Sequence, residues 1–366
     1  MSAPRVYALG NSPLVYLMCN EIASLSFQPR VPELVLLLQD QKKLNRFLHN
    51  ESKLVLERPK GGYKGSNQYM ASCSPPKFAS GEVAKVDNVI IGEKTPKLFT
   101  NALKKYTKSI HSGTNVLLLN PTVGLVDILR KNVWHERENS PKVFIGVTNE
   151  RHISQPSEFT THLSSYKSSL QVSAVPDTHL GYSYQEDVQQ AQELAKTNSL
   201  LRLLKSINEE QSGSVFGVSN RSYGDLLLYR YEELITQSCV LPITALYGPQ
   251  PHDITASGEL MKIVRNLVQE FTYTIQATDR FVNQIPHSSG ALDQERLVSA
   301  VWRALKSDRR KLFYETNFHH INQFNGFFAL QAKKRNIKCP FNEAMMICAK
   351  AKLELAHDSN FNHRSL

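Results

Sequence analysis

The chain has 366 residues, about twice the usual length of one domain, which makes two domains of unequal kind the starting expectation. Lys and Arg number 43 against 33 Asp and Glu, and the resulting charge of +10 excludes an acidic tail and favours polyanionic partners, although it also serves solubility alone. No stretch approaches the ~20 apolar residues that span a bilayer, and five cysteines without a Cys-x-x-Cys pair indicate a reducing compartment rather than a disulfide framework or a zinc ribbon.

The amino terminus runs from Met1-Ser2-Ala3-Pro4-Arg5 straight into an apolar segment, so no Arg-rich amphipathic import presequence is on display. The first half then alternates short apolar runs with helical patterns, the signature of βαβ units. Strands are expected at Val6 to Leu9, Leu34 to Leu38, Asn88 to Ile91, Val116 to Leu119 and Val143 to Val147, each lacking polar alternation, as in a parallel sheet covered on both faces. Helices are expected at Pro13 to Ser24, Leu98 to Ile110 and Leu125 to Lys131. The Ser-rich segment from Ser154 to Tyr184 reads as loops and irregular strands. From Asp225 onward the pattern is helical, with stripes at Leu260, Ile263, Val264, Leu267, Val268, Phe271 and Ile275, at Leu297, Val301 and Leu305 behind an Asp293 cap, and at Ile321, Phe324 and Phe328. Asn342 stands where it would cap a final helix.

A strand, turn and helix at residues 5–25 is how a dinucleotide fold begins, and the turn should carry G-x-G-x-x-G. The frame holds Gly10, Ser12 and Val15, so only the first glycine is present, and Pro13 removes an amide donor from the helix start. After the second strand come Gln39-Asp40 and Lys42-Lys43; Gln39 can hydrogen-bond but cannot balance a buried phosphate charge. Asp40 could serve a ribose or cap the following helix. None of the twelve histidines forms the i, i+4 pair with Glu of a zinc hydrolase, and no nucleophile elbow or Cys/His dyad can be placed, so neither a metal nor nucleophilic chemistry is expected.

Scaffold residues along the chain resemble the ketopantoate reductase family: Gly10; Lys94-Thr95 and Gly124, each after a strand; Pro242, Thr244 and Ala245; Asn325-Gly326; and Pro340 with Asn342. The resemblance implies an α/β plus all-α protein, a Rossmann-like domain at 1–221 with a parallel sheet, a helical domain at 222–357, and a polar tail at 358–366. At the positions that carry that family's chemistry the residues differ. Glu233 stands in the frame of the catalytic Lys, with Gln237, Leu241 and Pro242 completing it; His320 replaces a carboxylate, Asp308 falls near the substrate-binding Ser, and Pro121-Thr122 replaces an Asn-Gly that holds cofactor and substrate. Placing Glu233 and Asp308 where an oxo-acid carboxylate would sit adds like-charge repulsion. Losing a proton donor alone costs about 10²- to 10⁴-fold. No enzyme activity and no cofactor are expected; Gly10 and Lys94 are the residual cofactor-binding candidates. The alternative is an NADP-dependent, ketopantoate-like 2-oxo-acid reductase or a nucleotide-binding sensor.

A second resemblance spans nearly the whole length. Pro4 to Ser12, Asp40 to Leu48, Met70 to Cys73 with Pro75-Pro76, Leu119 to Pro121 and Asn325 to Phe328 are similar to the yeast mitochondrial cytochrome b translational activators. That resemblance implies a non-enzymatic matrix protein, peripheral on the inner membrane. Its partners would be the 5′ leader of cytochrome b mRNA, the mitochondrial ribosome, other cytochrome b translation factors and, as in a reductase scaffold, a second copy. Basic clusters at Lys42, Lys43 and Arg46, at Lys104, Lys105 and Lys108, at Arg309, Arg310 and Lys311, and at Lys333, Lys334, Arg335 and Lys338 are candidate contacts to RNA or ribosome. Lys104, Lys105 and Lys108 share a helical face with Tyr106 nearby as a stacking group. The last two clusters flank Asn325 and make a joint basic surface the preferred site. No RNP, KH or Arg-Gly pattern supports reading of bases by motif, so phosphate contacts or an RNA-reading protein partner fit better. A structural adaptor bound to ribosomal proteins alone is the third reading.

Overall fold

The computed structural model describes residues 3–58, 64–135, 139–148, 152–165, 168–177, 181–210, 216–248, 257–307 and 316–362. The chain divides into two units: Met1–Gly181 with Gln185–Tyr223, and Tyr182–Tyr184 with Gly224–Leu366.

The first unit opens with β1 (Val6–Gly10), α1 (Pro13–Ala23), β2 (Leu34–Leu37), α2 (Gln41–His49), β3 (Lys53–Glu57), β4 (Lys64–Gln68) and β5 (Met70–Ser72). It continues through β6 (Asn88–Gly92), α3 (Pro96–Lys104), β7 (Asn115–Leu119), α4 (Leu125–Asn132) and β8 (Lys142–Val147). Next come β9 (Ile153–Ser157), β10 (Thr160–Leu163), β11 (Ser168–Ala174), α5 (Tyr184–Thr197), α6 (Ser199–Glu210) and β12 (Phe216–Asn220). The main sheet runs β12-β11-β8-β7-β6-β1-β2-β5, parallel throughout except where β11 meets β8. From β5 to β8 this is the strand order of a dinucleotide fold, and the crevice at its switch point lies beyond the carboxyl ends of β1 and β6. The five predicted strands are there within a residue or two. Ile90, Leu117 and Leu118 are fully buried, which is why these runs show no alternation.

A second sheet, β4-β3-β10-β9, was not expected from the sequence. It packs Leu54, Leu56, Phe159 and Leu163 into the same core as Leu14, Leu17 and Met18 of α1. β9 buries only Ile153 of its five residues, so its sequence carries almost no pattern. α5 and α6 were likewise missed. α5 is polar apart from a narrow inner edge, and Asn198 caps α6 by accepting the amides of Leu200 and Leu201 at 3.0 and 3.2 Å. The predicted helix at Leu98 to Ile110 stops at Lys104, because the chain folds through turns that carry Tyr106, Ser109 and Ile110 into the interior.

The second unit is built from α7 (Tyr223–Tyr247), α8 (Gly258–Thr278), a short turn α9 (Ser288–Ala291), α10 (Gln294–Ser307), α11 (Phe318–Lys334) and α12 (Pro340–Asn362). The predicted stripes are buried except for Ile263 and Phe324, which are half-buried, and Phe271 of α8 stacks on Phe328 of α11 at 4.1 Å between centroids. Ser257, Asp293 and Asn317 each accept an amide at a helix start. Asn342 does not cap α12: the helix begins at Pro340, and the amides of Phe341 and Asn342 are each held at 2.9 Å by the carboxylate of Glu270, on α8. α12 also continues past residue 358, where the tail was expected to start.

Candidate functional site

The turn from β1 into α1 is where a dinucleotide fold cradles its pyrophosphate. Gly10 takes φ +107°, and a Cβ there would stand 2.2 Å from the Gly92 carbonyl oxygen, so only glycine lets the ends of β1 and β6 close up. Close packing of helix on strand survives by a different arrangement. The helix carries Val15 in the frame of the third glycine, and the strand supplies the space: a Cβ on Gly92 would lie 2.9 Å from Val15 Cγ2.

The donors of this turn are already engaged. Ser12 N–H donates to the Gly92 carbonyl at 3.3 Å, Leu14 N–H to Ser12 Oγ at 3.3 Å and Val15 N–H to the Ser12 carbonyl at 3.0 Å, while Pro13 has none to give. The backbone amides of Asn11 and Lys94 face the carboxylate of Glu93, the residue after β6. Burial lifts the Glu93 carboxyl above its ordinary range, while Lys43, these two amides and Lys94 pull the other way. Lys43 is 6 % exposed, donates from Nζ to Asn11 Oδ1 and lies 5.7 Å from the centre of the Tyr16 ring. Desolvation lowers its pKa, opposed by Glu158 and Glu93. Glu158, between β9 and β10 of the second sheet, binds Arg46 through both oxygens at 2.7 Å. Thr161 of the same sheet reaches the Pro13 carbonyl at 3.4 Å.

The crevice is thus built around the chain's own ions. A pyrophosphate on this turn would meet the Glu93 carboxylate where the motif offers amides, and the donor set does not fit that group. Asp40 caps α2, accepting the Lys43 amide at 2.8 Å. Lys94 is exposed beside Glu93. Glu93, Gly92 and Glu158 were missed in the sequence; the Gly-Glu-Lys directly after a predicted strand was the available signal.

In the second unit Glu233, Gln237 and Leu241 follow one another at four-residue spacing along α7, the first two half-buried and the third buried. Pro242 sits inside that helix and cannot donate to the Ser238 carbonyl. Asn325 Nδ2 donates to it instead at 2.7 Å, and also to Asn342 Oδ1 at 3.0 Å, while Asn342 Nδ2 returns a bond to the Asn325 carbonyl at 3.1 Å. All of this is buried. Asn325 and Asn342 therefore hold three helices together. His320 lies in the first turn of α11 with its amide bound to Asn317, and Asp308 lies outside the described residues.

The basic clusters are divided by the fold. Lys43 faces the crevice and Arg46, though exposed, is paired with Glu158, which leaves Lys42 as the exposed cation of its group without an ion pair among the described residues. Lys104, Lys105 and Lys108 are exposed, but Tyr106 is 2 % exposed and unavailable for stacking. Lys333, Lys334, Arg335 and Lys338 are exposed around the end of α11, whereas Arg309, Arg310 and Lys311 lie outside the described residues. No helix among the described residues is long and apolar enough to cross a membrane.

A Rossmann-like sheet followed by a helical unit is the architecture this chain shares with solved 2-dehydropantoate 2-reductases. Residues 225–353 match the family model described as ketopantoate reductase PanE/ApbA C terminal. A probable 2-dehydropantoate 2-reductase from Bacillus subtilis superposes with a TM-score of 0.65 at 15% identity, covering 95% of this chain and 99% of that one. The chain belongs to the family of the cytochrome b translational activator CBS2 of Saccharomyces cerevisiae, to which it is 32% identical over 96% of both chains. A probable 2-dehydropantoate 2-reductase of Schizosaccharomyces pombe is 24% identical over 96% of this chain and 97% of its own length.

Proposed function

We propose that this chain promotes translation of cytochrome b mRNA in mitochondria, acting with the 5′ leader and the mitochondrial ribosome and catalysing no reaction. The observation that carries the reading is the full-length identity to the Saccharomyces activator, higher than to the Schizosaccharomyces reductase. Two features support it: Glu93 at the dinucleotide turn, and Glu233 in the frame of a catalytic lysine. With that substitution the scaffold lacks the proton donor that hydride transfer to a ketone requires. The working location is the matrix face of the inner membrane, peripherally bound. Other cytochrome b translation factors and a second copy of the chain are its further partners.

The test is deletion of the gene followed by radiolabelling of mitochondrial translation products. The expected outcome is loss of cytochrome b synthesis while its mRNA persists. A uniform fall in all products indicates a general ribosomal role. Normal translation with a growth requirement for pantothenate restores the reductase reading.

A further inference from the structure

We propose that the turn carrying Phe78, together with the lysines around its base, is a binding surface for single-stranded RNA, with Phe78 as the ring on which a base stacks. The proposal rests on the translational reading above and names the surface that would serve it.

Between β5 and β6 the chain makes a small antiparallel turn. Lys77 bridges Val83, Phe78 N–H donates to the Glu82 carbonyl at 2.8 Å, Gly81 N–H donates to the Phe78 carbonyl at 2.9 Å, and Ala84 N–H donates to the Pro76 carbonyl at 2.8 Å. Gly81 takes φ +87°, the left-handed conformation that closes such a turn. The backbone is therefore fixed, yet Phe78 is 59% exposed, as is Tyr273 of the second unit. A lone exposed ring is ordinary on a protein surface, and this one gains meaning from its fixed backbone and the cations around it, which together offer a face on which a base can stack.

The base of the turn rests on the segment after α3. Val86 N–H donates to the Ser109 carbonyl at 3.0 Å, and Lys85 Nζ donates to the Lys108 carbonyl at 3.1 Å. Lys105 Nζ in turn reaches the carbonyl of Gln39, just ahead of Lys42, at 3.2 Å. Lys42, Lys77, Lys85, Lys104, Lys105 and Lys108 are all exposed, and among the described residues none is paired with a carboxylate. Asp40, Glu82 and Asp87 are the acidic residues among these segments, so the surface is positive in sum. Unpaired cations that track a phosphate backbone, beside a ring that accepts any base, are how single strands are held without sequence reading. A bilayer is the weaker match. The tip beyond Phe78 is Ala79, Ser80 and Gly81, so a single ring would enter the membrane, and stable anchoring takes more apolar area than that.

The full-length protein is titrated by fluorescence anisotropy against a labelled oligouridylate, a blunt RNA duplex, and phosphatidylcholine–phosphatidylserine vesicles. The wild type is expected to bind the single strand in preference to the duplex, whose bases are already stacked. Phe78→Ala should weaken single-strand binding about tenfold with an unchanged salt slope, and Phe78→Tyr should retain it. Lys85→Gln combined with Lys108→Gln should reduce the slope of log K against log salt by about 1.4, ~0.7 for each charge removed. The proposal is overturned if Phe78→Ala binds like the wild type, if the duplex is preferred, or if Phe78→Ala abolishes vesicle binding and leaves RNA binding intact. In cells, normal cytochrome b synthesis after gene deletion defeats the translational reading itself. Synthesis lost on deletion but fully restored by a copy carrying Phe78→Ala and both lysine changes defeats this surface alone.

Discussion

Glu93 places a half-buried carboxylate at the end of β6, and its titration reports on the crevice. Burial raises its pKa, so the folded chain binds that proton more tightly than the unfolded one. The contribution to stability is therefore favourable in acid and is lost as pH rises from the ordinary value near ~4.3 through the raised one. Glu93→Gln removes the penalty. Its melting temperature should match the wild type near pH ~4 and exceed it increasingly toward neutrality, followed by circular dichroism across a pH series. A variant that is less stable at neutral pH would mean that attraction to Lys43 outweighs desolvation. At this scale the sequence was informative where a residue acts on its own neighbours. The tight turn at Gly10, with its positive φ, and the cap at Asp40 were legible because both are local, whereas the close approach of Gly92 that also demands glycine was not. Glu93 and Lys43 were not, because each matters through partners from other elements: Asn11 lies 32 residues from Lys43, and Glu158 is 112 from Arg46.

Among the elements, α7 shows how a helix-breaking residue is accommodated. Pro242 leaves the Ser238 carbonyl without a helical donor, and Asn325 supplies one from α11. Asn325→Ala strips donors from two buried acceptors, Ser238 O and Asn342 Oδ1, at about 1–3 kcal/mol each. Chemical denaturation should show that loss. In a Pro242→Ala background the backbone regains an N–H for Ser238, so the cost of Asn325→Ala should shrink, and a double-mutant cycle measures the difference. Equal costs in both backgrounds would show that the bond to Ser238 contributes nothing and that the cost comes from Asn342 and packing. The start of α12 follows the same logic. A cap is sought in the residues just before a helix, but here the carboxylate comes from Glu270, 71 residues upstream of Phe341, and no local pattern announces it.

For the whole molecule, the strand order from β5 to β8 and the helical second unit were legible, because buried parallel strands and amphipathic stripes each write a period into the sequence. The second sheet was not, since its edge strands are five residues each and largely polar, KGSNQ and ISQPS. Yet that sheet delivers Glu158 and Thr161 to the crevice, so the part of the fold that was hardest to read bears on whether a cofactor can enter. Calorimetry of the full chain with NADPH and NADH is expected to give no saturable heat. Saturable binding abolished by Lys94→Ala would show instead that the crevice opens and that the reductase ligand set persists in part.

The bond from Asn325 to Ser238 also bears on the order of assembly. A helix whose interior carbonyl depends on another helix cannot finish on its own, and that other helix is joined to α12 through Asn342. On a growing chain, α7 would emerge with an open hydrogen-bond ladder at Ser238 and wait for Asn325, 87 residues later. The helical unit should therefore appear all at once, protected from proteases only after α12 has been made. Backbone amides of α7 around Pro242 should exchange with solvent together with those of α11, as one cooperative block.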